Sequence, residues 1–240
     1  MQKLLRLLIL ILSCMAFRAQ VQAASWYDLN WEYRKKITIV HTNVVSDLTN
    51  FPVLVSVTNS VDFQNHAHTN GSDFVITASD GTTKLYREIE AYSNGTLVLW
   101  FNAPSLSSNT PAEFYIYYGN PSGSETNDTA TWDANYVMVQ HLQESPANSV
   151  TGHLDSTSYG NNGAPMNFGS TATSTTNPEE DIPGWDAAKK IDGADVFNGV
   201  TSYVNCGTNA SMHPNIYTLE AWIKYRGTNR GSLVSFSNPS

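Results

Sequence analysis

Apolar side chains recur at every second position through the first half of the chain, and this alternation restricts the fold classes open to it. Ile37 and Ile39 alternate with polar residues, and Phe51, Val53, Val55 and Val57 line one face of the next segment. A period of two is typical of strands that bury one face. No window holds a sustained helical period of 3.6 residues. We therefore predict an all-β protein that begins with a β-sandwich module.

Further strands follow those two at regular spacing. They are predicted at residues 74–77, 85–92, 97–101 and 114–118. Asn94 and Gly95 lie between two of these segments, and both residues accept the positive φ of a tight reversal. The sequence therefore predicts a β-hairpin at this point.

The second half of the chain reads as a separate β module. Residues 122–135 contain one large apolar residue, Trp132, and we interpret them as a linker between a first module at 24–121 and a second at 136–240. The chain stops directly after an apolar strand pattern, so we expect the second module to be incomplete on its carboxyl-terminal side. Its strands are predicted at residues 137–142, 194–197, 203–205, 218–224 and 233–236.

The amino-terminal residues predict export. Lys3 and Arg6 precede an apolar run at residues 7–12, and a small-residue exit follows at Ala23. This is the layout of a signal peptide, and its apolar run is shorter than the roughly 20 residues that span a bilayer. We predict cleavage after Ala23, no transmembrane segment, and a secreted or cell-surface protein. The alternative is a bacterial lipoprotein box, which would anchor the protein through Cys14.

The net charge of the chain limits the classes of molecule that it could bind. The chain has 13 basic and 21 acidic residues, and cleavage after Ala23 would leave 10 basic residues and a formal charge of −11. Such a surface repels phosphate backbones and anionic lipids. We therefore expect no nucleic-acid partner and favour a polysaccharide or a surface protein. Cys206 would be the one cysteine left, so no internal disulfide is predicted.

An ordered set of motifs runs through the first module. These motifs are residues 31–39, 51–55, 80–81, 87–90, 99–100 and 115–120. Together they resemble the domain of unknown function 2341 over about residues 26–122. The resemblance implies an exported protein of bacteria or archaea, and it supplies no catalytic residues.

A second set of motifs occupies residues 141–144, 155–163, 197–204 and 218–224. In that order they are similar to the front half of a laminin-G-like, concanavalin A-type jelly roll at residues 136–240. The resemblance implies binding of sugars, proteins or calcium, and some members of the superfamily are glycosidases. Asn198 departs from the aspartate that is more usual at its position, which puts a metal contact there in doubt.

Candidate binding residues follow from the second module. Asp155, Asn161 and Asn162 are oxygen donors in a glycine-rich turn and are the candidates for calcium, with a water-filled Asx turn as the alternative. Trp222 would share a strand face with Glu220, and an aromatic ring beside an acid suits sugar stacking. Under a second sheet, Trp222 would instead be core.

Trp31 is a third ligand candidate. It belongs to an aromatic cluster near the start of the mature chain, and exposed aromatic faces can stack on sugars. The alternative is that this cluster packs as a lid on the first sandwich.

Two carboxylates could suggest catalysis. Glu88 and Glu90 are two residues apart, so they would share one face of a strand. The sequence Glu-Ile-Glu resembles a strand motif of concanavalin-type glucanases, and glycoside hydrolysis uses a pair of carboxylates. That motif requires a further acid, where this chain has Tyr92 and Ser93. We therefore interpret the pair as a solvated strand face.

A metal site and a serine nucleophile were also considered, and each lacks a residue that it requires. His66 and His68 lack a third metal ligand nearby, and no serine has nucleophile-elbow spacing. We predict no catalytic residues and no enzyme activity within residues 1–240.

These observations favour an exported binding or adhesion protein that recognises a glycan or a protein through the jelly-roll module. One alternative is a set of accessory modules in a larger secreted carbohydrate-active enzyme. Another is a structural surface-layer or stalk segment. Calcium is the one cofactor that the sequence suggests.

Overall fold

The computed structural model describes residues 25–144, 146, 152–168, 194–223 and 233–235. The predicted signal peptide and Cys14 lie outside these residues. The elements are β1 (Tyr33–Ile39), β2 (Leu48–Val57), α1 (Val61–His66), β3 (Val75–Thr77), β4 (Arg87–Ser93), β5 (Thr96–Leu106), β6 (Ala112–Tyr118), β7 (Ala164–Met166) and β8 (Tyr203–Asn205). Short 3-10 turns lie at His41–Asn43, Thr129–Thr131 and Ala210–Met212. The predicted all-β class is confirmed.

The six strands predicted in the first module form two antiparallel sheets. Their strand orders are β1-β6-β3 and β2-β5-β4. Leu99 and Phe101 of β5 are fully buried, and they share one core with Phe114 and Ile116 of β6. The ring centroids of Phe101 and Phe114 are 4.9 Å apart. The alternating apolar residues of both sheets thus face each other across this core.

Helix α1 was not predicted. Ser60 caps it, since its Oγ accepts a hydrogen bond from the Phe63 amide at 3.2 Å. Phe63 is the one residue of the helix that is buried, and its ring packs edge-on against Phe74 at 5.0 Å. A helix of six residues with one buried side chain shows no apolar period, so the sequence pattern could not reveal it.

The predicted hairpin is confirmed between β4 and β5. Asn94 and Gly95 have φ of 46° and 78°. Gly95 is also closely packed, because a Cβ at this position would lie 2.3 Å from the carbonyl oxygen of Ser60. The turn therefore requires glycine for both conformation and space.

The strand predictions for the second half are mostly wrong. Residues 203–205 form β8, which pairs with the unpredicted β7. The described residues of the other four predicted strands contain no strand. Ile216 and Trp222 are 92% and 78% exposed, so the apolar pattern around them does not correspond to a buried sheet face. The jelly-roll fold stays a prediction.

Residues 122–135, predicted as a linker, pack on the first module, and we call them the strap. Asn127 lies beside edge strand β4. Its side-chain Nδ2 donates to the backbone carbonyl of Ile89 at 3.0 Å, and its Oδ1 accepts from the backbone N–H of Ile89 at 2.8 Å. Trp132 is 6% exposed. The strap thus covers part of the outer face of sheet β2-β5-β4. No helix in the described part of the chain has the length and apolarity to span a membrane.

Candidate functional site

Two acidic side chains of β4 lie beneath the strap and the residues that follow it. Glu88 and Glu90 are each 7% exposed, so the prediction of a solvated strand face is wrong. Strand alternation places both on the outer face of the sheet, and Glu88 is level with Trp100 of β5. The outer face is buried because later parts of the chain cover it.

Each carboxylate is fixed by hydrogen bonds from neighbouring side chains. Trp132 Nε1 donates to Glu88 Oε2 at 2.6 Å, and Ser156 Oγ donates to Glu88 Oε1 at 2.5 Å. Trp100 Nε1 donates to Glu90 Oε2 at 2.7 Å. These donors come from a strand, the strap and the second half of the chain, so they fix the carboxylates only when all three are packed together.

His141 lies between the two carboxylates. Its Nε2 is 3.3 Å from Glu88 Oε1, and its Nδ1 is 3.3 Å from Glu90 Oε2. The imidazole side chain is 10% exposed. We call Glu88, His141 and Glu90 the carboxylate clasp, and it joins β4 to the first residues of the second module.

The clasp is charged at neutral pH. Burial by itself would lower the pKa of His141, but Glu88 and Glu90 outweigh it and raise this pKa to about 9. Burial likewise opposes ionisation of Glu88, yet His141, Ser156 and Trp132 hold the pKa of its carboxyl below the usual value. An imidazolium therefore lies between two carboxylates.

A second histidine has a similar environment nearby. The His153 side chain is fully buried, with Nε2 2.8 Å from Asp195 Oδ2 and Nδ1 3.4 Å from Glu144 Oε2. Burial opposes the charged form, but Asp195 and Glu144 raise the pKa of His153 to about 9. Glu144 also accepts a hydrogen bond from the Leu154 amide at 3.3 Å.

A cleft of about 200 Å³ lies between these two histidine sites, and we call it the junction cleft. Its walls are Glu88 of β4, residues 127–129 of the strap, and residues from 141–144 and 154–156. Leu154 is the one apolar side chain among the residues that line it. The cleft therefore offers hydrogen-bonding groups that are held in place from three parts of the chain.

The calcium candidates form a turn that supplies its own hydrogen-bond donors. Asp155 Oδ1 accepts from the amides of Val139 at 2.9 Å and Thr157 at 3.0 Å. Its Oδ2 accepts from Thr157 Oγ1 and the Asn161 amide, both at 2.8 Å. Asn162 Oδ1 accepts from the Asp155 amide at 2.8 Å. The structure thus brings the three residues together as an Asx-rich turn, and calcium stays a prediction.

The aromatic ligand candidates occupy different environments. Trp31 is 8% exposed, and its Nε1 donates to the Asp73 carbonyl at 2.6 Å. It packs with Val75 and Tyr117 as part of the first module, as the lid alternative describes. Glu220 and Trp222 are exposed in a segment without a strand, so they do not share a strand face.

The two histidines considered for a metal line another cleft, of about 360 Å³. His66 Nδ1 is 2.8 Å from Asp62 Oδ1, whereas His68 Nδ1 is 2.8 Å from Asn70 Oδ1. The described residues contain no group of three or more His, Cys, Asp or Glu side chains placed to hold a metal. The structure gives no support to a metal site there.

Sequence reasoning found the carboxylate pair but missed the residues that surround it. His141 belongs to a motif that we assigned to the second module, and Trp132 is the one large apolar residue of a polar segment. That isolated tryptophan was the available signal, because an indole in a solvated linker has no surface on which to pack.

Comparison with known families agrees with the resemblance of the first module. Residues 70–149 match the model of Domain of unknown function (DUF2341). The matched segment contains the carboxylate clasp and the strap, and it extends past residue 121, where we placed the end of the first module. No curated protein and no solved structure gives a significant match.

Proposed function

We propose that this protein is exported and binds a glycan through the junction cleft. The observation that carries the proposal is a 200 Å³ cleft lined almost entirely by hydrogen-bonding side chains. Sugars present hydroxyl groups that both donate and accept, so a site for them needs several polar groups in fixed positions. The jelly-roll resemblance of residues 136–240 and the predicted signal peptide support the same function.

Fixed geometry supports binding at this site. Trp132 and Ser156 hold Glu88 from two sides, and His153 holds Glu144. Side chains that are already immobilised lose little further entropy when a ligand arrives. The entropy cost of ordering these side chains around a ligand is therefore small.

The clasp is poorly suited to hydrolysis of a sugar bond. Glycoside hydrolysis needs a carboxylic acid whose pKa is raised so that it can donate a proton. The pKa of Glu88 is instead lowered by His141, Ser156 and Trp132. Glu90 accepts from Trp100 and lies beside His141. Glu88 therefore acts as a fixed anion, which favours binding over catalysis.

A glycan array tests the proposal directly. Residues 24–240 are applied as the native chain and as Leu154→Trp, in which the larger ring fills the cleft without removing a polar contact. Leu29→Trp is the matched control, because Leu29 is 92% exposed and does not line the cleft. We expect array signals that Leu154→Trp reduces at least about tenfold and that Leu29→Trp leaves unchanged. Silence of the native chain, or equal signals from both variants, would contradict the proposal.

A further inference from the structure

The chain contains sequences of the form Asn-X-Ser or Asn-X-Thr in which X is not proline. They begin at Asn70, Asn94, Asn127 and Asn209. In an exported protein such a sequence can accept an N-linked glycan, provided that it lies at an accessible surface. The fold therefore determines which of these asparagines an enzyme can modify.

Three of these asparagines use their carboxamides in the fold. Asn127 Nδ2 donates to a backbone carbonyl of β4 at 3.0 Å, so the nitrogen that would carry a glycan is already paired. Asn70 Oδ1 accepts from the Ser72 amide at 3.0 Å, and Asn209 Oδ1 accepts from the Ser211 amide at 3.1 Å. These two are Asx turns, which hold the carboxamide against its own backbone.

The hydroxyl groups of the two Asx turns are engaged as well. Ser72 Oγ donates to the Gly123 carbonyl at 2.7 Å, and Ser211 Oγ donates to Asn209 Oδ1 at 3.1 Å. A hydroxyl two positions after the asparagine is part of the acceptor sequence. Its hydrogen bond would have to break before an enzyme could use it, which makes both turns poor acceptors.

Asn94 differs from the other three. It is exposed at the tip of the β4–β5 hairpin, and no hydrogen bond to any described residue engages its carboxamide. Thr96 Oγ1 lies 3.2 Å from the Asn59 amide nitrogen and 3.4 Å from Asn59 Oδ1, at or beyond the usual limit for hydrogen bonds. The hairpin tip thus presents an accessible carboxamide beside a weakly held hydroxyl.

The backbone of the hairpin is held without the Asn94 side chain. Gln64 Nε2 donates to the Asn94 carbonyl at 3.0 Å, and the Ser60 amide donates to the Gly95 carbonyl at 2.9 Å. Both contacts end on main-chain oxygens. A group attached to Asn94 Nδ2 therefore removes no contact that positions the turn.

We propose that Asn94 is a site of N-linked glycosylation in the exported protein. An oligosaccharyltransferase joins Asn94 Nδ2 to C1 of a sugar that is supplied as a polyprenyl-phosphate-linked oligosaccharide. Nδ2 loses one proton to a base of the enzyme. The bond between C1 and the phosphate oxygen breaks, and the lipid phosphate leaves with its electron pair.

This site is separate from the junction cleft. Asn94 follows the end of β4, whereas Glu88 is near its start, so they are about 20 Å apart at roughly 3.3 Å per residue. The attached glycan leaves the cleft open. The inference shares with the proposed function the expectation of export, but it does not depend on what the cleft binds.

Transfer to the folded chain tests the site. Residues 24–240 are incubated with an archaeal oligosaccharyltransferase and a polyprenyl-phosphate-linked oligosaccharide, and peptide mass spectrometry measures the occupancy of each asparagine. We expect occupancy of Asn94 at least about tenfold above that of the other three, because those sites must first lose a hydrogen bond. Synthetic peptides with the same four sequences are the control, and without the fold this preference should disappear.

Two substitutions identify the acceptor. Asn94→Asp removes the acceptor nitrogen and keeps a residue that tolerates the φ of 46°. Thr96→Val removes the hydroxyl of the acceptor sequence, whereas Thr96→Ser is the matched control that retains it. We expect Asn94→Asp and Thr96→Val to lose the glycan at residue 94 and Thr96→Ser to keep it. Circular dichroism checks that each variant is folded.

The outcomes decide the proposal without reference to the cleft. Preferential occupancy of Asn94 in the folded chain, absent from the peptides, supports it, as does a glycan mass on the Asn94 peptide of protein exported by its own cells. Equal occupancy of the four sites, faster modification of Asn127, transfer to the peptides alone, or an unmodified Asn94 in the exported protein overturns it. Each of these results leaves glycan binding by the junction cleft in place.

Discussion

The stability of the protein should depend on pH through single side chains of the carboxylate clasp and of the neighbouring His153 site. His141 and His153 have pKa values raised from 6.5 to about 9, so the stability that they contribute is fully present below pH 6.5 and is lost as the pH rises toward 9. Glu88 and Glu144 have pKa values lowered from 4.5, so their contribution is lost as the pH falls below that value. The protein should be most stable between these limits.

Thermal unfolding across pH 3–10 measures this dependence. We expect a maximum Tm between about pH 4.5 and 6.5 and a fall of at least about 3 °C by pH 10. His141→Gln removes one titrating group and should flatten the alkaline part of the profile. His213→Gln, at an exposed histidine, should leave the profile unchanged. Parallel profiles for the native chain and His141→Gln would show that the clasp carries no linked proton.

The positions of Glu88 and Glu90 were predictable, whereas their surroundings were not. Strand alternation alone places them on one face. Their exposure depends on distant residues, since Trp132 is 44 residues from the glutamate that it contacts. Local pattern carries no information about such a contact, and so the carboxylates were interpreted as solvated.

At the scale of single elements, the β4–β5 hairpin depends on Gly95. Its φ is 78°, and the Ser60 carbonyl oxygen would lie 2.3 Å from a Cβ at this position, so the turn packs directly on the start of α1. The Ser60 amide also donates to the Gly95 carbonyl at 2.9 Å. The turn therefore positions both a strand pair and the helix.

Gly95→Ala should destabilise the protein through strain and through this contact. Gly71→Ala is the matched control, because Gly71 has φ of 72° and its nearest neighbours are side-chain atoms at 3.2 Å. Both variants carry left-handed strain of about 1–3 kcal/mol, and Gly95→Ala should cost at least about 1 kcal/mol more. Urea unfolding measures the difference. Equal free energies of unfolding would show that the backbone near Ser60 adjusts without cost.

The strands of the first module were predictable because neighbouring apolar residues define each sheet face. Alternating residues of several strands pack into one core, which a short window of sequence can show: Ile37 and Ile39 of β1, Val53, Val55 and Val57 of β2, and Leu97, Leu99 and Phe101 of β5. Helix α1 buries one residue, and the second half has exposed apolar residues such as Ile216. In those regions hydrophobicity and burial do not coincide, so the same reasoning failed.

For the whole molecule, the strap determines where the first module ends. Asn127 hydrogen-bonds both to Ile89 and to Arg87 Nη1, the latter at 2.9 Å, and Arg87 is 3% exposed. Trp132 covers Glu88. A chain that stops at residue 121 would lose these contacts and expose the outer face of sheet β2-β5-β4.

Two truncated chains distinguish a strap from a linker. Residues 24–144 retain the strap and the clasp, whereas residues 24–121 retain neither. We expect the shorter chain to be less stable by at least about 3 kcal/mol, since removal of one buried tryptophan side chain alone typically costs that much. Urea unfolding followed by circular dichroism measures both, and Trp132→Ala in the longer chain isolates the contribution of the indole. Equal stability of the two chains would mean that residues 122–135 are a linker, because their contacts with β4 would then contribute nothing to folding.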